Sequence, residues 1–254
     1  MFGRVFSLLT ATLLLSLGPC VAAGLDAVKD AGALSFAMSG QYPPFNFVDE
    51  SNQLTGFDVA VCSDVARRLG VAPKPLSTAW DGIIPGLLAG KYDLICGSMA
   101  ITPQRQAAID FTAPYYRSGA QLFVRRGSAV ATVADLAGKK VGVTLGTTYE
   151  TWVRDNIPGA EVRTYKGVPA MILEVANGRL DGFITDRIVG AMAIDDKGAP
   201  LRLAGPLLYE ERMGIALTKG QPELLAAINR ALEAMRQDGS YHDISMKWLK
   251  IDAR

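Results

Sequence analysis

Histidine is almost missing: His242 is the only one in 254 residues, beside three cysteines, Cys20, Cys62 and Cys96. A zinc centre assembled from His and Cys, or a catalytic triad drawing on a second histidine, is therefore excluded. An excess of one charge sign is missing too. Lys and Arg number 26 against 25 Asp and Glu, a net charge of +1, without the clustered basic surplus of a nucleic-acid binder. Neither a G-x-G-x-x-G nor a Walker glycine loop occurs, which disfavours nucleotide enzymes. No apolar run reaches the roughly 20 residues of a membrane span. What is there is 49% hydrophobic and 20% charged, the balance of a globular α/β chain of one large or two medium domains. Such a protein must act through Arg, Asp, hydroxyls, aromatics and backbone amides.

The N-terminus reads as an address. Arg4 precedes an apolar run from Val5 to Leu17, and Val21-Ala22-Ala23 supplies small residues for cleavage after Ala23, the parts of a secretory signal. Leu17-Gly18-Pro19-Cys20 resembles a lipoprotein box, but proline before the cysteine disfavours acylation. Cleavage leaves 231 residues with 25 basic and 25 acidic side chains. Cys62 and Cys96 remain. They are read first as two small buried hydrophobes, with a disulfide as the alternative in an oxidising compartment.

Strands and helices then alternate, which argues for parallel sheets built from βαβ units. A short helix over Leu25–Asp30 is expected, then a strand over Ala33–Met38 and a loop over Ser39–Phe47. A helix over Gly56–Leu69 stops at Gly70, a strand lies near Pro75, and a helix covers Asp81–Ala89 before a strand over Tyr92–Cys96. Thr102-Pro103 opens another helix with proline at its first position. One piece of grammar occurs twice, 88 residues apart: Leu87-Leu88-Ala89-Gly90 with Asp93-Leu94-Ile95, and Glu174-Val175-Ala176-Asn177-Gly178 with Asp181-Gly182-Phe183-Ile184. Each is helix end, glycine stop, acid, strand. Two similar α/β lobes explain it, unless ordinary αβ turns coincide by chance.

Three strand ends carry polar residues suited to a small zwitterion. After a strand over Lys140–Thr144, Thr147 and Glu150 have capping-box spacing, so a helix N-terminus with free N–H groups lies here. It is either a carboxylate site or simply a capped helix. At the second end, Ser98 precedes Thr102 and Arg105, which puts a cation in a first helical turn against the dipole. A bidentate carboxylate would compensate it, and so would a neighbour such as Asp110 or Asp58. At the third, Asp186 closes an apolar strand, where it caps the next helix or accepts hydrogen bonds from an α-ammonium. Tyr42 and Trp80 are the aromatics expected on a ligand, with Phe45 and Phe47 left to packing.

Gly56-Phe57-Asp58-Val59, Trp80-Asp81-Gly82-Ile83-Ile84-Pro85, Ile101-Thr102-Pro103-Gln104-Arg105, Asp110-Phe111-Thr112, Val141-Gly142-Val143-Thr144-Leu145-Gly146-Thr147-Thr148 and Lys247-Trp248-Leu249 stand in order along the mature chain. As a set they resemble the family 3 periplasmic solute-binding proteins, the polar-amino-acid receptors of ABC importers. The resemblance implies a type II binding-protein fold, with two lobes of mainly parallel sheet flanked by helices. Two crossovers, near Ala113–Arg117 and Leu207–Met213, would act as the hinge. Residues 24–116 with 212–254 would form one lobe and 117–211 the other. Arg105 resembles the family's carboxylate-binding arginine and Asp186 its ammonium-binding aspartate. Thr147 and Thr148 match the helix-start pair, Ser98 and Ala100 the loop that completes the clamp, and Tyr42 and Trp80 the aromatics around the ligand side chain. The implied partners are an amino acid and a membrane permease, with a monomeric receptor, no cofactor, no metal and no catalytic residue.

Ser39 departs from the pattern, standing where many relatives, including binders of basic amino acids, carry Asp. That moves an uncharged polar, aliphatic or acidic ligand up. Ala60 departs as well, away from the ligand. The rival function is a periplasmic dehydratase acting on cyclohexadienyl compounds such as arogenate, which uses the same scaffold with a cleft acid as general acid. A sensory domain of receptor kinases is the third reading.

Overall fold

The structure, a computed structural model, describes residues 24–195 and 198–254; the expected signal segment lies outside them. The chain opens with α1 (Leu25–Asp30) and β1 (Ala33–Met38), followed by three short strands, β2 (Gln41–Tyr42), β3 (Asn46–Val48) and β4 (Leu54–Thr55). These three form a small antiparallel sheet that begins inside the segment expected to be loop, Ser39–Phe47, and runs beyond it. Helix α2 (Phe57–Arg68) follows, then β5 (Ala72–Ser77), a 3-10 turn over Trp80–Gly82, α3 (Ile83–Leu88) and β6 (Leu94–Ala100). After α4 (Pro103–Ala108), β7 (Ile109–Phe111) and β8 (Tyr116–Arg125), the second run of units begins: β9 (Lys140–Thr144), α5 (Thr148–Asn156), β10 (Glu161–Tyr165), α6 (Val168–Ala176), β11 (Gly182–Asp186) and α7 (Arg187–Asp195). The long β12 (Leu201–Thr218) leads back to α8 (Pro222–Gln237) and α9 (Ser240–Leu249).

Eight strands run in the order β10-β9-β11-β8-β12-β6-β1-β5, and β7 pairs onto β12 to complete a nine-stranded sheet. β1 pairs in parallel with β5 and β6, and β9 in parallel with β10 and β11. Between these parallel sets, β8 and β12 run antiparallel to each other and to their outer neighbours. The register of β8 against β12 shifts between Ala204 and Tyr209. Every residue of β6 is buried, the continuous run expected of a strand covered on both faces.

The repeated grammar has the same physical meaning in both places. Asp93 accepts the backbone N–H of Ser35 at 2.8 Å, and Asp181 accepts that of Lys140 at 2.9 Å. Each acid therefore pins the start of its own strand to the neighbouring parallel strand. Gly90 and Gly178 both take positive φ, 68° and 72°, where only glycine is free of strain.

Three expectations need correction. Cys62 and Cys96 form a disulfide, Cα to Cα 6.5 Å, because the buried face of α2 seats Cys62 against β6 at bridging distance. The strand placed over Tyr92–Cys96 starts at Leu94 and continues to Ala100. Antiparallel pairing of Met213 with Ala100 and Gly214 with Met99 extends it, so Ser98 lies inside a strand rather than after one. The helix placed over Asp81–Ala89 is split into the 3-10 turn and α3.

Candidate binding site

Seven of the eight residues singled out from sequence line a single inner cavity. Tyr42, Trp80, Ser98, Ala100 and Arg105 come from the first set of units, and Thr147 and Thr148 from the second. The cavity measures about 40 Å³ and shares Ala100, Arg105, Thr147, Thr148 and Glu211 with an outer cleft of about 690 Å³. The inner space holds little more than water, because the two sides are drawn together over it. The Tyr42 and Tyr149 hydroxyls meet at 3.3 Å, and Trp80 Nε1 donates to the Gly146 carbonyl at 3.3 Å. At Gly167 a Cβ would come within 2.4 Å of the Gln41 Cβ, so glycine permits this approach.

Arg105 is placed by its helix. Thr102 caps α4 by accepting the Arg105 N–H at 3.2 Å, with Pro103 at the first helical position. The guanidinium donates to the Ala100 carbonyl at 3.0 Å and lies 5.7 Å over the Trp80 ring. Burial pulls its pKa below the ordinary value, opposed by Glu211, Tyr149 and Tyr209; it stays cationic. Among the described residues it forms no ion pair with Asp58, Asp110 or Glu211. The compensating surface partner allowed by the sequence is therefore not the one it has.

Across the cavity, Thr147 caps α5, accepting the Glu150 N–H at 3.4 Å while donating its hydroxyl hydrogen to the Thr144 carbonyl at 2.6 Å. Glu150 reaches back to the Gly146 N–H at 2.8 Å, one residue short of a regular capping box. The Thr147 hydroxyl has thus spent its hydrogen. The donors at this end are then the hydroxyl of the cavity-lining Thr148 and the first N–H groups of the helix, which have no partner within it.

Ser98 adopts φ 57°, uncommon for a residue with a side chain. Its N–H donates to the Tyr115 hydroxyl at 2.9 Å and its hydroxyl to Asp58 Oδ2 at 2.9 Å. Asp58, fully buried, also accepts from Asn46 at 2.7 Å and Tyr115 at 2.6 Å. Burial lifts its carboxyl to about 6 despite these bonds.

Asp186 does not line the cavity. It is fully buried, with Oδ1 accepting from Ser118 Oγ at 2.8 Å and from the Ile188 N–H at 2.7 Å, the capping role read from sequence. Its Oδ2 has no partner. Burial pushes this carboxyl up to about 7, the two hydrogen bonds opposing and Glu211 adding to the rise. It lies close enough to the cavity-lining Tyr42 and Tyr149 to raise both hydroxyls.

Sequence reasoning missed Glu211 and Tyr149. Glu211 is the one carboxylate among the cavity-lining residues, buried, with Oε2 unpartnered. Burial raises its pKa; Thr148, Tyr149 and Arg105 act against the rise. On β12, Glu211, Met213 and Ile215 are buried, with Arg212 exposed between the first two, a placement that the residues Glu-Arg-Met-Gly-Ile do not announce. Glu211 lay in a segment read only as a crossover.

Residues 34–251 match the model for bacterial extracellular solute-binding proteins, family 3. The chain belongs to that family. Among curated relatives, the L-cystine-binding protein TcyJ of Escherichia coli K12 is 36% identical over 90% of this chain and 86% of its own. Among solved structures, a mutant of ArgBP from T. maritima superposes with a TM-score of 0.85 at 34% identity, covering 89% of this chain and 99% of that one. AncCDT-1, an ancestral amino acid-binding protein and precursor of cyclohexadienyl dehydratase, gives 0.83 at 36% identity, again over 89% and 99%.

Proposed function

We propose that this family 3 protein is a periplasmic receptor that captures a free amino acid between its two halves and hands it to the permease of an ABC importer. What carries the reading is the convergence of a guanidinium, Arg105, and the N-terminus of α5 on one buried cavity from opposite sets of strands. A carboxylate suits both. Carboxylates on the hinge side, Glu211 and Asp186, each with one unpartnered oxygen, suit an ammonium. The two together describe the backbone of an amino acid, and the names of the relatives, L-cystine-binding and amino acid-binding, agree.

The lobes are residues 24–116 with 212–254 and residues 117–211, moving about β8 and β12. Contacts made to both lobes favour the closed form, and only such differential contact shifts the population. A micromolar receptor needs roughly 8 kcal/mol. Charge-assisted hydrogen bonds of about 1.5–3 kcal/mol at each end of the ligand, with burial against Tyr42 and Trp80, supply that order of energy. Tyr42, Trp80, Ser98, Ala100, Arg105, Thr147, Thr148 and Asp186 form the binding set, with no catalytic residue among them. Purified protein turns over neither arogenate nor prephenate in this reading.

Differential scanning fluorimetry against free amino acids tests it, because a ligand that binds only the folded state raises Tm. At least one amino acid is expected to do so. Arg105→Ala is expected to lose at least about 100-fold in affinity, on the scale of a charged bond broken inside a binding site, while the unliganded melting curve stays nearly unchanged. Absence of any shift, or retained affinity in the variant, contradicts the reading.

A further inference from the structure

The cavity and the groups packed on it hold more buried acidic side chains than basic ones. Arg105 contributes one positive charge. Glu211 lines the space, Asp186 stands behind it, and Asp58 lies behind Ser98. Lys166 also lines the cavity but is exposed to water. A zwitterion adds no net charge, so its α-ammonium and α-carboxylate leave that imbalance as it is. The hydrogen-bonding polarity agrees. Ser98 has committed its hydroxyl hydrogen to Asp58, so it offers only lone pairs. Glu211 Oε2 and Asp186 Oδ2, both buried, have no donor. Buried acceptors are ordinarily satisfied, and these three ask for N–H groups. Arg105 does not meet the demand at Glu211, since no ion pair joins them. Thr148 and Tyr149 stand beside Glu211 and favour its ionised form, yet Oε2 keeps no partner.

We propose that Glu211 is a specificity-determining residue, and that with Asp186 it selects an amino acid carrying a second cationic group beyond the α-ammonium. The inference rests on the amino-acid reading of the cavity and deepens it. It also reverses the tendency drawn from Ser39: the anion missing from the first strand's loop is supplied from β12 instead. One carboxylate meets the α-ammonium and the other the second cation, and Arg105 with the N-terminus of α5 holds the α-carboxylate. The ligand's positive charge then offsets the excess of acid.

Isothermal titration of the full mature chain at pH 7.5 with L-arginine and L-citrulline separates charge from shape, since the two share length and differ in the charge of the terminal group. The wild type is expected to bind arginine at least tenfold more tightly than citrulline. Glu211→Gln is expected to bring that ratio below threefold, with far-UV circular dichroism confirming its fold. Should that variant fail to fold, Glu211→Asp, which keeps the charge and withdraws it by one methylene, is expected to lower the ratio by at least threefold. A wild-type ratio near one, or a ratio unmoved in the folded variant, overturns the proposal. If an uncharged or acidic amino acid binds while arginine, lysine and ornithine do not, the inference fails and the receptor reading stands. Absence of binding by every amino acid overturns both.

Discussion

Asp58 and Asp186 are equally buried, one in each half of the molecule, yet their surroundings differ. Asp58 accepts from Asn46, Ser98 and Tyr115, and so ties the small antiparallel sheet, β6 and the start of β8 into one knot. Asp186 accepts from Ser118 and the Ile188 N–H and keeps one oxygen unpartnered. The better-satisfied carboxyl is held at about 6, the other at about 7, the order that hydrogen bonding to the charged form dictates. The difference separates a fastening from a reserve. Asp58 spends its acceptor capacity on positioning Ser98, whereas Asp186 keeps capacity for a donor that the fold does not supply. The disulfide deepens the contrast. It joins α2 to β6 two residues before Ser98, so the first half presents its contacts from a stapled frame.

Removing the staple is the largest test of that contrast. Cys62→Ser with Cys96→Ser opens a loop closed over 34 residues, which the chain-entropy account values at about 3–4 kcal/mol. Chemical denaturation is expected to show a loss of that order. A loss under about 1 kcal/mol would remove the distinction between a stapled and an unstapled half.

The reserve is tested by pH. Asp186 has a folded pKa above the ordinary 3.8, so the folded protein holds the proton more tightly than the unfolded chain does. Its contribution to stability is full below pH 3.8 and is lost as pH rises through about 7. Ligand binding runs the other way, because an ammonium needs the ionised carboxylate. Affinity is expected to rise about tenfold from pH 6 to pH 8, the change for one group ionising near 7. Glu211, coupled to Asp186 and also raised, broadens the transition. Asp186→Asn is expected to bind more weakly and to flatten the profile, whereas Asp58→Asn leaves the rise through pH 7 in place. Equal profiles for the two variants would mean that the two acids do not divide their roles.

Much of the frame was legible because it is local. Helix stops at Gly90 and Gly178, acids at Asp93 and Asp181, the cap at Thr102 and the helix start at Thr147 are each fixed within a few residues. The wall of the cavity needed pairing between distant segments. Ser98 entered a strand only because β12 returns beside β6, and Cys62 met Cys96 only because α2 packs there. Glu211 became a cavity residue only where β12 passes behind α5. In sequence Glu211 reads as an ordinary charged residue; its burial, and which face of β12 meets the site, are decided by the sheet order.

The most direct test of a ligand held from both halves is a crystal structure with bound L-arginine, or with whichever amino acid the melting screen selects. The α-carboxylate is expected between the Arg105 guanidinium and the first N–H groups of α5, within hydrogen-bond distance of both, and the α-ammonium on Asp186 or Glu211. A carboxylate bound to one half alone, or a ligand seated outside the cavity, would contradict the account.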